Sequence, residues 1–199
     1  MKCFVRERLV KRMKNIKKLK FYPLDKTNWS VFEELFESKG ILNNCWCMVW
    51  RMTAKEKKNN TGEFRKTYLK QRVDDGVAVG IIACDKEKAI GWCSIAPKHT
   101  HNSGLGGDSK LENIWSLTCF FILPAYRRQG LAYLFIHEAK KYAVENGAHY
   151  IEAYPVEKDS PSYRHMGFIE MFEKEGFSHT GKKGKRRNVM LYDLNNERK

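Results

Sequence analysis

The 199-residue sequence has no apolar run near the roughly 18 residues that a bilayer-spanning helix needs, so nothing in it reads as a membrane span. It shows no short apolar h-region of a secretory signal, and the expectation is a cytoplasmic protein. It has no regular cysteine spacing. Cys3, Cys45, Cys47, Cys84, Cys93 and Cys119 fall irregularly, which excludes an obvious disulfide framework and points to reduced thiols. No internal repeat is visible. What is present is a globular composition: 42% hydrophobic and 13% aromatic residues exclude a disordered chain. The length suits one domain, large enough to bury a core without disulfide or metal staples.

Acidic residues are scarce at the two ends. The formal charge is +14, from 37 Lys+Arg against 23 Asp+Glu. Residues 1–20 hold nine basic and one acidic residue, and residues 180–199 hold seven and two. The body, 21–179, is nearly neutral at +1. The charge as a whole would fit an anionic partner such as nucleic acid, but its placement moves that expectation to the edges of the chain. Residues 1–20 read as a basic amphipathic helix or as a loose extension ahead of Met13. The boundaries expected are an extension over 1–16, one domain over 17–195 and a polar tail over 196–199.

A first strand spans Lys18 to Leu24. Thr27 can cap a helix that sets Trp29, Phe32, Leu35 and Phe36 on one face, with Gly40 as its stop. Residues 41–52 are apolar without a clear period and read as a partly buried connector. Thr53 and Thr61 are further cap candidates, and a helix follows around 62–74. Val77 to Cys84 and Ala89 to Ala96 are continuous apolar runs around a polar turn, a hairpin of two buried strands. Residues 98–113 form a loop. Ile114 to Leu123 is a central strand, followed by a long amphipathic helix to Glu145 with Leu131, Leu134, Phe135, Ala139 and Tyr142 inward. His149 to Tyr154 is a strand, Phe168 to Glu175 a short helix, and Phe177 to Thr180 and Asn188 to Leu194 are the last strands. The order β-α-α-β-β-β-α-β-α-β-β makes a mixed α/β layer fold.

The segment that carries chemistry is Phe120 to Ala132. It contains neither G-x-x-x-x-G-K-[ST] nor G-x-G-x-x-G, which excludes the Walker loop and the dinucleotide fingerprint. Instead a buried strand runs through Pro124-Ala125-Tyr126-Arg127-Arg128-Gln129-Gly130 into a helix. A helix start leaves backbone N–H groups unpaired and carries partial positive charge. Arg127 and Arg128 add two full charges, and Gly130 and Ala132 leave room for an anion to reach the backbone. Together they describe a pyrophosphate cradle.

With that strand before it and that helix after it, R-x-x-G-x-A at Arg127 to Ala132 resembles the acetyl-CoA signature of the GNAT acetyltransferases. The resemblance extends over the element order from about Lys17 to Leu194 and includes Gly176-Phe177 after the late helix. Cys45-Trp46-Cys47-Met48-Val49-Trp50-Arg51, Gly91-Trp92-Cys93-Ser94 with Pro97, and Glu152-Ala153-Tyr154-Pro155 are similar to a bacterial subgroup. The resemblance implies a mostly antiparallel sheet with one splayed parallel strand pair, flanked by helices. It implies acetyl transfer from acetyl-CoA, the cosubstrate, to an amine by direct attack in a ternary complex. Phe120, Phe121 and Ile122 would pair with the pantetheine arm. Arg127, Arg128, Gln129, Gly130, Leu131 and Ala132 would hold the pyrophosphate.

The family often places a Tyr on the late helix as the acid, and Phe172 stands there. It sometimes places a Glu on the strand before the cradle, where this chain offers Ser116, Thr118 and Cys119. The substitutes are Glu152 as base and Tyr154 or Tyr163 as acid, with His165 nearby. Period two puts Glu152 and Tyr154 on one face. The plain alternative is a surface carboxylate and a packing aromatic. Trp46, Cys47, Trp50 and Arg51 are either a wall of the acceptor cleft or core packing. Cys45 and Cys47 with His99 and His101 lack a standard zinc spacing, and no metal is expected. A nucleic-acid-binding protein with basic arms and a CoA-binding protein without turnover are the competing functions. A homodimer stays open.

Overall fold

The computed structural model describes residues 18–38, 44–107 and 110–197. The basic extension expected over 1–16 and the helix stop at Gly40 lie outside these residues. The elements are β1 (Lys20–Pro23), α1 (Trp29–Glu37), α2 (Gly62–Asp74), β2 (Ile81–Asp85), β3 (Lys88–Pro97), β4 (Ile114–Ile122), α3 (Leu131–Glu145), β5 (Tyr150–Ala153), α4 (Ile169–Lys174), β6 (Ser178–Lys183) and β7 (Arg187–Asp193). The strands form one sheet in the order β1-β2-β3-β4-β5-β7-β6. β4 and β5 are parallel and all other neighbours antiparallel. The parallel pair follows from α3, because a parallel neighbour needs a long crossover and a hairpin cannot supply one.

Both faces of the sheet are covered, which is why β2 and β3 read as continuous apolar runs. Trp29, Phe32, Leu35 and Phe36 of α1, with Trp46, Met48, Leu69 and Val73, cover Ile82, Cys84 and Trp92. On the other face, Leu131, Phe135, Ile136 and Ala139 of α3, with Met171 and Phe172, cover Ile81, Ala83, Ile90 and Leu117. The alternation of Ile81/Ala83 against Ile82/Cys84 is the strand period sorting one run into two cores.

Several local expectations change in detail. The N-cap of α1 is Asn28, and Thr27 sits one residue too early to cap it. The Asp25 carboxylate instead accepts from the Thr27 and Asn28 amides at 2.7 and 3.2 Å. Thr61 does cap α2, accepting from the Phe64 amide at 3.3 Å. Thr53 closes a reciprocal box with Glu56: Thr53 Oγ1 accepts the Glu56 amide, and Glu56 Oε2 accepts the Thr53 amide. The basic run near the C-terminus, though one of the two basic ends, is also the turn expected between the last two strands. It is the hairpin between β6 and β7, and Arg187 within it is buried.

β2 begins at Ile81, four residues later than the apolar run suggests. Gly80 has φ +153°, and a Cβ there would lie 2.3 Å from the Cys93 carbonyl oxygen and 2.4 Å from the Trp92 ring. The chain passes so close to β3 that only glycine fits. Gly80→Ala is therefore expected to cost roughly 2–4 kcal/mol in urea unfolding, from overpacking and backbone strain together. Gly76, at φ +73° with nothing within 4 Å, is the control. Gly76→Ala is expected to lose only about 1 kcal/mol, the left-handed penalty alone. Equal losses at the two sites would show that close packing at Gly80 is not what matters.

Candidate active site

The site is built where β4 and β5 part. Their register runs Ile114↔Tyr150, Trp115↔Ile151, Ser116↔Glu152 and Leu117↔Ala153, and stops there. Two local features end it. On β4, the register with β3 shifts between Ser94↔Cys119 and Ile95↔Leu117, leaving Thr118 as a bulged residue. On β5, Pro155 follows Tyr154 and has no N–H to give to a ladder. The Pro155 carbonyl turns to the Asn188 amide at 2.9 Å, and Val156 pairs in parallel with Phe168. Beyond Leu117, β4 therefore keeps β3 on one side and, among the described residues, no strand on the other. Phe120, Phe121 and Ile122 lie on that half-exposed stretch. The Phe120 ring faces α3 and α4, 6.4 Å from Phe135 and 6.2 Å from Phe172, and Phe121 faces α1.

The open edge leads into the turn before α3. Arg128 has φ +58° and Gly130 has φ +86°. Gly130 is the N-cap of α3, with no side-chain cap and no acidic residue in the first turn. The amides from Arg128 to Ala132 have no partner among the described residues, whereas Tyr133 and Leu134 donate to the Gly130 carbonyl. A Cβ at Gly130 would meet nothing within 4 Å, so the face over these amides is open. Arg127 Nε donates to the Ile122 carbonyl at 2.8 Å, and Gln129 Nε2 to that of Ala125 at 2.7 Å. The turn is thus held by its own side chains while its amides point outward. Unpaired amides, a helix start and exposed arginines fit a phosphate-bearing ligand.

The second half of the site lies on the sheet face toward α1. Glu152 is 2% exposed, and its Oε2 accepts from Tyr154 Oη at 2.8 Å and pairs with Lys98 Nζ at 2.7 Å. Tyr154 Oη also lies 2.9 Å from Ser116 Oγ. A carboxylate only accepts, so Tyr154 spends its proton on Glu152 and Ser116 donates to Tyr154. Burial, then the Glu152 charge, holds the Tyr154 phenol well above its usual range, so it keeps its proton. Gly107 lies on this ion pair: a Cβ there would be 2.5 Å from Glu152 Oε2. Lys98 Nζ also donates to the Gly107 carbonyl at 3.1 Å.

A second polar group adjoins it. Arg51 Nη2 donates to the Val79 carbonyl at 2.7 Å and to Ser94 Oγ at 2.9 Å, and the bulged Thr118 donates to the same Ser94. Arg51 is 2% exposed, and burial pulls its guanidinium down to about 10, still protonated at neutral pH. Trp50 lies nearby in a separate small cluster. The Arg187 guanidinium sits 4.3 Å over the Trp50 ring and 5.5 Å from the Tyr163 ring, and donates to the Gly104 and Leu105 carbonyls.

Of the residues singled out in the sequence, Glu152 and Tyr154 come together in one hydrogen bond. Tyr163 stands apart from them, 38% exposed in a left-handed conformation at φ +60°, with His165 beside it. Trp46 stacks among Trp29 and Phe36 in the core, and Cys47 accepts from the Trp92 indole N–H at 3.2 Å. Phe172 is fully buried on the opposite face of the sheet from Tyr154. Lys98, His101 and Arg187 were not singled out for catalysis or substrate. Lys98 follows Pro97 at the end of β3, and Arg187 lies in a basic run where nothing marks one member as inward. Among the described residues no group of three His, Cys, Asp or Glu side chains forms a metal site.

The family model for the acetyltransferase (GNAT) family matches residues 44–177. No curated protein is a significant match to the sequence. Solved structures share the fold at low identity. The PaiA N-acetyltransferase of Thermoplasma acidophilum, in complex with coenzyme A, has a TM-score of 0.55 at 14% identity, covering 88% of this chain and 98% of that one. A GNAT-family acetyltransferase from Streptococcus pneumoniae has 0.53 at 17% identity, over 88% and 98%. An aminoglycoside 6'-acetyltransferase of type Ii has 0.56 at 14%, over 88% and 97%. With the family model spanning most of the chain and the parted parallel strands and open helix start in place, the chain belongs to the GNAT acetyltransferase family.

Proposed function

We propose that the protein is an acetyl-CoA-dependent N-acetyltransferase acting on a primary amine. The observation that carries this reading is the run of unpartnered amides from Arg128 to Ala132 beside the open edge of β4. Acetyl-CoA supplies the activated acetyl thioester when bound. The chain's own groups do the rest. The backbone of Phe120 to Ile122 offers a strand edge for the pantetheine amides. The turn amides, with Arg127 and Arg128, hold the pyrophosphate. The parting of the strands leads from this edge to the face that bears Glu152 and Tyr154.

Transfer needs one proton to leave the amine and one to reach the departing sulfur. In this reading Glu152 is the acceptor group and Tyr154 the donor, with Ser116 and Lys98 fixing their orientation. Tyr163, on the exposed rim, is the other candidate donor. A second reading, CoA binding without turnover, is favoured by the buried Phe172 in the late-helix position.

Saturating acetyl-CoA, at about 100 times its Kd, stabilises the native state by roughly 2.7 kcal/mol and is expected to raise the melting temperature by about 5–10 °C. Arg128→Glu, at an exposed position, should abolish most of that shift while the ligand-free melting temperature stays put. An unshifted wild-type protein would remove the basis of the proposal.

Tyr154→Phe leaves Ser116 and Glu152 short of a partner and is expected to cost about 1–2 kcal/mol in stability. It should also slow thiol release from acetyl-CoA with a cognate amine by more than tenfold, with the acetyl-CoA thermal shift intact. Unchanged turnover would move the acid role away from Tyr154, and Tyr163→Phe then decides whether it falls to Tyr163. Thermal stabilisation without thiol release on any amine would establish the reading without turnover.

A further inference from the structure

Arg51 is a buried cation with unfinished hydrogen bonding. Its Nη2 is satisfied, but Nε and Nη1 have no partner among the described residues. These two nitrogens carry three N–H bonds. None of the ion pairs among the described residues includes Arg51, whose electrostatic neighbours are Arg72, a second cation, and the thiols of Cys47 and Cys119. Hydrogen bonding with Cys119, and burial, hold the Cys47 thiol well above its usual range, so it is no counter-ion. A guanidinium does not shed its proton to escape this cost. Buried charges are normally paired, and this one is not.

His101 is the complementary group. Its Nδ1 lies 3.3 Å from the Pro97 carbonyl, which only accepts, so Nδ1 carries the proton and Nε2 is the free lone pair. Nε2 is buried and also without a partner. Arg51 acts on His101 electrostatically, and the Asn102 amide donates to the Trp50 carbonyl at 2.7 Å, so the two residues follow and precede a hydrogen-bonded pair. Three donors of a cation and one acceptor are thus buried without a partner among the described residues, on two segments joined by that hydrogen bond.

Their location ties them to the proton-handling pair. Arg51 is bound to Ser94, and Ser94 to Thr118; Tyr154 is bound to Ser116. Thr118 and Ser116 are two residues apart on β4, so both groups fall within the length of one small molecule. Residues 98–107 close over them. Asn102 pins this strap to the segment that carries Arg51, through its amide to the Trp50 carbonyl at 2.7 Å and its side chain to the Val49 carbonyl at 3.0 Å. Arg187 and Lys98 hold the strap at Gly104, Leu105 and Gly107.

We infer that Arg51 and His101 form a subsite for a carboxylate carried by the acceptor, so that the substrates are amino acids or other carboxylate-bearing amines. The carboxylate supplies acceptors to Arg51 Nε and Nη1, and a substrate N–H donates to His101 Nε2. The inference rests on the acetyltransferase reading above and narrows its substrate class.

The test is a thiol-release assay on matched sets: L-alanine, L-alaninamide and ethylamine; L-phenylalanine, L-phenylalaninamide and phenethylamine; L-lysine, L-lysinamide and cadaverine. Rates are compared per unprotonated amine. At least one set is expected to favour the free carboxylate by tenfold or more in kcat/KM, mainly through KM. Arg51→Gln should erase that preference while keeping the thermal shift with acetyl-CoA, and His101→Gln should do the same where Arg51→Gln fails to fold. Equal rates within every set, or a preference that survives both variants, overturn the subsite and leave buried water as the partner of these groups. If no compound turns over, thermal shifts of the CoA-saturated protein with the same compounds decide: no advantage for the carboxylates overturns it. Loss of the acetyl-CoA shift itself in the wild-type protein would instead sink the acetyltransferase reading.

Discussion

The parting of β4 from β5 is the constraint on which the rest of the structure depends. A parallel pair interior to a sheet would ordinarily continue until one strand ends. Here two devices end it at one level, the bulge at Thr118 on one strand and Pro155 after the other. Neither alone opens a site. A bulge without the proline would leave β5 free to follow β4, and a proline without the bulge would leave the edge of β4 aimed into a closing gap. Together they expose a strand edge inside a folded domain without leaving it at the rim, where it would invite pairing with another chain. The same strand then delivers the chain to the Arg128–Ala132 turn, so one secondary-structure decision positions both a polar edge and a helix start.

That decision also sorts charge. On the α3 face, Leu117 and Phe172 keep the interior apolar. On the α1 face, Ser116, Thr118, Ser94, Glu152 and Tyr154 bring hydroxyls, a carboxylate and a phenol into the sheet, joined to Lys98 and Arg51. Such a row is costly to bury, and it survives because almost every member has a partner. The atoms that lack one among the described residues, Nε and Nη1 of Arg51 and Nε2 of the neighbouring His101, stand out for that reason.

Much of this was legible in the sequence, and the limits have physical causes. The open helix start was legible because Phe120 to Ala132 is a local motif: strand, turn and helix start lie within thirteen residues and need no tertiary information. The hydrogen bond between Glu152 and Tyr154 follows from period two on one strand. The ion pair of Glu152 with Lys98 could not be read, because it joins β5 to the loop after β3 through the register Pro97↔Trp115 and Ser116↔Glu152, and register is set by long-range pairing. The cap of α1 was misplaced by one residue because Asp25, Thr27 and Asn28 all carry capping side chains, and tertiary context chooses among them. The strand start at Ile81 was misjudged because Val77 to Val79 have strand composition, while the close approach at Gly80 depends on where Trp92 lies.

The charge of +14 looks different once the chain is folded. The C-terminal part of it belongs to the β6–β7 hairpin, not to a free arm, and its members are not equivalent. Arg186 reaches across to Ser162 at 2.9 Å, and Arg187 turns inward to hold the strap at Gly104 and Leu105. A net charge treats these residues as one positive patch. The fold makes one of them, Arg187, a clamp on the loop that carries Gly104 and Leu105. Where a charge sits relative to the parted strands, and whether it has a partner there, decides what it does.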